Sequence, residues 1–154
     1  MMLALRRVTE TDMDLLFRWA NDPIVRQNAF TTEPIPYGNH VAWFTKMLVN
    51  PSVVNYVLYD AERNAVVGQI RFSVEEGTAL IGYSIDENWR GKGLGSRLIL
   101  MGEEKLLQDL VDVQVFKARV KYGNIASARV FEKCGYEKEE LSEYLEYTKT
   151  VRRQ

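Results

Sequence analysis

Residues 90–96 read Arg-Gly-Lys-Gly-Leu-Gly-Ser, with glycine at every second position and further basic charge at Arg97. Glycine reaches positive φ without steric cost, so such a run can curl until successive N–H groups converge. An alternating apolar stretch precedes it and an amphipathic one follows. The run therefore joins a strand to the first turn of a helix, whose unpaired N–H groups and positive dipole end attract an anion. Gly91, Gly93 and Gly95, all with positive φ, are expected to cradle a phosphate together with the backbone of Leu94 and Ser96. Arg90, Lys92 and Arg97 supply mobile positive charge around it. Two other phosphate patterns are excluded: G-x-x-x-x-G-K-[ST] is absent, and Ser96 stands where the third glycine of G-x-G-x-x-G would fall.

Fewer residues elsewhere offer chemistry. Gly82 interrupts the apolar run Leu80-Ile81-Gly82-Tyr83-Ser84-Ile85, and a glycine inside a strand marks a bulge or close backbone approach, or relieves crowding under a helix. His40 is the single histidine, and its ordinary pKa of about 6.5 suits proton transfer. It shares a helical stripe with Val41 and Phe44, so half-buried packing is the other role open to it. Glu75 and Glu76 are alternative proton relays, or solvated residues at a hairpin tip. Asn124 heads a helix that it caps, with ligand contact a compatible second task. Phe30 and Tyr37 flank a proline-containing loop and could stack on a flat ligand group, whereas Trp19 and Trp43 read more readily as core.

The elements that position these groups follow from periodicity and punctuation. Leu3 to Val8 alternates as a strand, and Thr11-Asp12-Met13-Asp14 offers a cap for a helix carrying Leu15, Leu16 and Trp19. Asn21-Asp22-Pro23 breaks that helix and opens a short one through about Asn28; residues 31–36 form a loop. Tyr37, His40, Val41, Phe44, Met47 and Leu48 recur at helical spacing until Asn50-Pro51. Strands over 53–59, 65–74 and 79–85 are separated by turns at 62–64 and 75–77 that suit antiparallel hairpins. A helix from about 95 to 108 places Leu94, Leu98, Met101 and Lys105 or Leu106 along one side. A strand over 113–120 and a helix from Asn124 to Cys134, stopped by Gly135, come next. Residues 136–148 form a last strand or bent pair, and Arg152-Arg153-Gln154 a frayed tail. The crossover helix makes strands 79–85 and 113–120 parallel neighbours.

At these residues the chain resembles the GNAT superfamily of N-acetyltransferases, whose signature is Arg or Gln, two residues, Gly, one residue, then Gly or Ala. Arg90-Gly91-Lys92-Gly93-Leu94-Gly95 fits it fully, and a second family element follows at Asn124-Ile125-Ala126-Ser127-Ala128-Arg129-Val130-Phe131-Glu132-Lys133-Cys134-Gly135-Tyr136. The resemblance covers about residues 3–148. It implies an α+β GNAT fold with helices on both faces of a mixed sheet: an antiparallel meander, then a parallel strand pair that splays around acetyl-CoA. The whole of 1–154 is expected as one such domain.

The resemblance also implies acetyl-CoA as cosubstrate, with its pyrophosphate in the 90–96 turn. Its pantetheine arm would lie between the parted strands, near Ile85, Asn124, Ser127 and Phe131. The thioester would lie beside Gly82, making a backbone N–H among Gly82, Tyr83 and Ser84 the expected oxyanion donor. The implied reaction is direct attack by a primary amine in a ternary complex, with His40 as the leading base. Two departures stand out. Phe131 occupies the place where many relatives carry a tyrosine that protonates the leaving thiolate, and Arg119 the place where some carry a basic glutamate.

The segment from Arg18 to Arg26, with Thr32-Glu33-Pro34-Ile35 and His40 to Phe44, resembles members that acetylate nucleotide-linked amino sugars for surface glycans or flagellin. That implies a UDP-linked amino sugar as acceptor, with Arg26 at the diphosphate and Phe30 and Tyr37 as further contacts. Trp19-Ala20-Asn21-Asp22-Pro23 also has the style of ribosomal-protein N-terminal acetyltransferases, so a peptide acceptor stays open. A non-catalytic CoA-binding module is the third alternative, favoured by the missing tyrosine and glutamate.

Composition bounds these readings. The 154 residues suit one domain with a substantial core, and a net charge of −1 gives no global attraction to nucleic acid or anionic lipid. A single cysteine rules out an internal disulfide and fits a reducing cytoplasm; with a single histidine beside it, no metal site is expected. No apolar run approaches the ~20 residues that cross a bilayer, and charges at Arg6, Arg7, Glu10, Asp12 and Asp14 argue against a secretory leader. The expected partner is a small amine in the cytoplasm, with neither nucleic acid nor membrane, and a homodimer is left open.

Overall fold

A computed structural model describes residues 1–152. Of the expected frayed tail, Arg153 and Gln154 lie outside the described residues. The chain runs β1 (Leu3–Arg7), α1 (Met13–Ala20), α2 (Pro23–Asn28), α3 (Tyr37–Val49), β2 (Val53–Asp60), β3 (Ala65–Glu75) and β4 (Thr78–Ile85). It continues α4 (Leu94–Asp109), β5 (Val115–Lys121), α5 (Ile125–Lys133), β6 (Glu137–Glu140) and β7 (Tyr144–Thr150). Short 3-10 turns at Glu10–Asp12 and Glu87–Trp89 were not anticipated from sequence.

One seven-stranded sheet orders these strands β1-β2-β3-β4-β5-β7-β6. Every neighbouring pair is antiparallel except β4 and β5, which run parallel on either side of α4. The hairpin turns fall where glycine and asparagine allow left-handed backbone: Asn64 has φ 51° between β2 and β3, and Gly77 φ 79° between β3 and β4. This is the expected mixed sheet with helices on both faces.

Alternation along the strands splits the core in two. Val54, Tyr56, Leu58, Ile70, Phe72, Ile81 and Phe116 face α4 and α5, burying Leu94, Leu98, Ile99, Leu106 and Phe131. On the opposite face Val57 packs with Leu16 and Trp19 of α1 and Phe44 and Met47 of α3. Among the described residues no helix is long and apolar enough to cross a membrane.

The parallel pair carries the feature that matters most. Ladder partners link β4 to β5 only at Thr78↔Val115, Ala79↔Phe116 and Leu80↔Lys117. Beyond them Ile81–Ile85 pair with β3 alone and Ala118–Lys121 with β7 alone. A gap thus opens inside the sheet toward the C-terminal ends of two parallel strands, where open α/β sheets bind ligands.

Candidate active site

The glycine turn stands at the open end of this gap. Gly91 and Gly93 have φ 76° and 73°, and an added Cβ at either would meet nothing within 4 Å. Gly93 is the left-handed N-cap of α4, so the first-turn N–H groups of Leu94, Gly95 and Ser96 face the space beside them. Gly95 corrects one expectation: it is helical rather than left-handed. Its missing side chain serves packing, because a Cβ there would lie 3.0 Å from Val130 Cγ2 and 3.7 Å from Tyr83 Cε2.

The basic groups around the turn are not equivalent. Lys92 lies over the ring of Trp89 at 5.2 Å and Arg97 is exposed, so both reach solvent beside the cradle. Arg90 instead pairs with Asp22 at 3.0 Å. Asp22 also caps α2 through the N–H groups of Ile24 (2.9 Å) and Val25 (3.3 Å). Burial pushes its carboxyl up, but the bonds from Arg90, Val25 and Ile24 outweigh that and hold it below the usual range.

Asp22 is one of several ties that stretch the α1–α2 segment across the gap. Trp19 donates its indole N–H to Asp86 at the β4 end, at 2.8 Å. On the far side Lys121 of β5 donates to the carbonyls of Gln27 (3.1 Å) and Ala29 (3.2 Å), and Phe30 meets Tyr144 of β7 edge-on at 5.7 Å. Asn21 exchanges two hydrogen bonds with Ile35, at 2.8 and 2.9 Å. The segment from Trp19 to Phe30 is therefore scaffold that bridges the two walls of the gap, with Trp19 and Asp22 tied to the β4 side and Gln27, Ala29 and Phe30 to the β5–β7 side.

Several expected contacts take other roles. Arg26 donates to the carbonyls of Ala20 (2.8 Å), Thr31 (3.0 Å) and Glu33 (3.2 Å), which makes it a strut for the 29–36 loop. Tyr37 donates to Asp14 at 2.7 Å and packs on Phe17, although its ring stays partly exposed. His40 is the main correction. It is 3% exposed, its Nε2 lies 2.8 Å from the Met13 carbonyl, and its ring is enclosed by Phe17, Trp43 and Phe44. A protonated Nε2 donating to that carbonyl ties α3 to α1, so the ring is packing. Glu75 pairs with Thr78, four residues before Gly82, or ~13 Å along the strand, and is no nearer to serving as a base.

The gap's helix-side wall holds hydroxyls that the sequence alone did not bring together. The Tyr83 phenol lies 2.8 Å from Ser127 Oγ, in the first turn of α5, and burial pushes that phenol's pKa up. Asn124 caps α5 by accepting from the Ser127 N–H at 3.3 Å. Phe131 is 2% exposed and packs against Tyr83, Tyr136 and Tyr147, so it shapes the wall under Tyr83.

The opposite face holds Gln69, Arg71, Gly82 and Ser84. Gln69 donates to Ser84 Oγ at 3.1 Å while its own Oε1 is buried without a partner. Arg71 was not singled out in the sequence. A polar residue on alternate positions of an otherwise apolar strand, Gln69-Ile70-Arg71-Phe72-Ser73, was the available signal.

The model of the acetyltransferase (GNAT) domain family matches residues 2–137. An uncharacterized protein of Methanocaldococcus jannaschii is 25% identical over 143 residues, covering 88% of this chain and 28% of that protein, so the chain spans under a third of that relative. Spermidine N-acetyltransferase from Vibrio cholerae, solved with CoA and spermine, superposes with TM-score 0.85 at 16% identity, over 97% of this chain and 95% of that one. The aminoglycoside acetyltransferase AAC(6')-Ib, solved with paromomycin and acetyl-CoA, superposes with TM-score 0.82 at 19% identity, over 97% and 94%. The structural likenesses establish the fold, and the family match covers both the splayed strands and the glycine turn. The chain belongs to the GNAT acetyltransferase-domain family.

Proposed function

We propose that this domain transfers an acetyl group from acetyl-CoA to a primary amine by direct attack in a ternary complex, the amine belonging to a UDP-linked amino sugar. The observation that carries acetyl transfer is the β4–β5 pair, which stops at Leu80–Lys117 and leaves the β5-facing edge of Ile81–Ile85 without a ladder partner, on the stretch of β4 that leads to the glycine turn. A pyrophosphate held by the N–H groups of 91–96 would send its arm down that gap toward Gly82. There the N–H groups of Gly82, Tyr83 and Ser84 are the candidates to bind the developing oxyanion. Tyr83 and Ser127 supply the hydroxyls that Phe131 lacks and donate to the departing sulfur. For the amine proton, a water ordered by the β4 backbone near Ser84 is the proposed acceptor. That water, rather than His40, is the route out.

The sugar acceptor rests on the resemblance over 18–44. A peptide acceptor is the second reading, since Asn21 and Asp22 serve the scaffold and do not discriminate between them. The test is CoA-thiol release by purified protein with UDP-linked amino sugars, free amino sugars, ribosomal amino-terminal peptides and polyamines. Turnover of the UDP-linked amines supports the reading. Turnover of peptides alone replaces it with the second, and acetyl-CoA binding without any release marks a non-catalytic module.

A further inference from the structure

We propose that Arg71, Lys46 and Trp43 form a subsite for an anionic group, carboxylate or phosphate, carried by the acceptor itself. The inference rests on the acetyl-transfer reading and names what that reading's acceptor must contain.

Arg71 sits in the middle of β3, in register with Gly82 on β4 and Asn55 on β2. Directly paired residues point to the same face, here the one covered by α3. The guanidinium occupies the space that the glycine leaves: a Cβ on Gly82 would lie 3.3 Å from Arg71 Nη2. Its other neighbour is Trp43, whose ring centroid is 5.1 Å from Cζ. Among the described residues the Arg71 guanidinium has no carboxylate partner and no hydrogen bond. Arg6 and Arg63 show the contrast, each being bonded to an aspartate that raises its pKa, whereas burial alone acts on Arg71 and lowers it.

A half-buried cation without a counter-charge is costly unless something supplies one. Room for it exists. A cavity of about 240 Å³ opens beside Arg71, with Trp43, Lys46, Asn50 and Ser73 in its lining. Its two charged side chains are both cations, and Lys46 has no ion-pair partner among the described residues. Glu75, four residues beyond Arg71 on this face of β3, is exposed at the hairpin and does not line the cavity. Asn55 is 3% exposed, and neither atom of its amide has a partner.

Adjacent strands lie ~4.8 Å apart, so the guanidinium is one strand from Gly82, where the thioester is delivered in the proposed reaction. An anion seated here would hold its amine close to the acetyl group. Polycationic amines would meet Arg71 and Lys46 unfavourably, which separates this site from one built for polyamines.

The test is calorimetric titration of the full chain, with CoA present in saturating amount to fill the glycine turn. The probes are inorganic pyrophosphate in one arm and succinate in the other, against wild type, Arg71→Gln and Lys46→Gln. One-to-one binding of either anion to wild type is expected, weakened at least tenfold in Arg71→Gln and several-fold in Lys46→Gln. The arm that binds tells phosphate from carboxylate. Lys46 is exposed, so its variant remains informative if Arg71→Gln fails to fold. Absence of binding to wild type, or equal binding by wild type and a folded variant, overturns the subsite. Variant-sensitive anion binding in a protein that acetylates no amine would keep the subsite and remove the acetyl-transfer reading.

Discussion

The phenolic oxygen of Tyr83 lies 2.8 Å from Ser127 Oγ, and this contact joins the two sides of the β4–β5 gap. Tyr83 belongs to β4, whereas Ser127 opens the helix that follows β5. With Phe131 unable to donate, these hydroxyls are the proposed donors to the leaving sulfur. A thiolate leaves more readily than an alkoxide, so the loss on removal should fall at the low end of the ~10²–10⁴-fold typical of general acid–base groups. Tyr83→Phe is expected to lower kcat about 10²-fold while acetyl-CoA affinity changes little, and Ser127→Ala to lower it less. Initial rates with calorimetric Kd values check this, and an unchanged kcat in Tyr83→Phe would return Tyr83 to packing.

His40→Ala should behave as a core lesion. The ring is buried among three aromatic residues and donates to the Met13 carbonyl, so its loss leaves a void and removes the side-chain tie between α3 and α1. A destabilisation of about 2–4 kcal/mol is expected in denaturant titration. The acidic limb of the kcat/KM profile should survive in the folded fraction. Disappearance of that limb would reinstate His40 as the base.

These two residues show what the sequence could and could not reveal. Element limits were legible because they are punctuated: Pro51, Asn64, Gly77, Asn124 and Gly135 stand at turns or caps where backbone chemistry leaves few choices. The glycine turn was legible for the same reason. What stayed hidden depends on contacts between distant segments. The His40 stripe was visible, but its depth is set by α1, which brings Phe17 and Met13 against it. Arg90 reads as a free phosphate ligand until the fold places Asp22 beside it. Arg26 looks available until the 29–36 loop folds back onto it. Arg71 stands out in the sequence only as a polar residue in a largely apolar strand, and it takes strand register to reveal that it faces a glycine.

Gly68 offers a stability test of that register. In an ordinary strand, Gly→Ala gains about 0.5–1 kcal/mol. Here an added Cβ would fall 2.5 Å from the Ser84 carbonyl oxygen, a backbone atom of the paired strand that no rotamer change can move. Gly68→Ala is therefore expected to lose about 1–3 kcal/mol and to lower Tm. A raised Tm would show that β3 and β4 are less closely paired than described.

Acid sensitivity should be traceable to Asp60. A hydrogen bond from Arg63 (2.8 Å) and the N–H groups of Met2 (3.0 Å) and Glu62 (3.1 Å) hold its carboxyl at about 2. The unfolded value is about 3.9, so the native state binds fewer protons between these values. The contribution is complete above the unfolded value and is lost as pH falls toward the folded one. Asp60→Asn should lower Tm at pH 7, with the difference closing as pH approaches 2. A difference that persists undiminished at pH 2 would show that the ionised carboxylate is not its source.

In the proposed reaction the glycine turn receives the pyrophosphate of acetyl-CoA. Gly93 tests this most directly, because its φ of 73° disfavours any side chain and the space before it is open. Acetyl-CoA titrated calorimetrically into wild type and Gly93→Val, each checked for folding by thermal melting, gives the comparison. Wild type should bind one equivalent, and the folded variant should bind at least tenfold more weakly. Equal affinity in the two would place the cofactor away from residues 90–96.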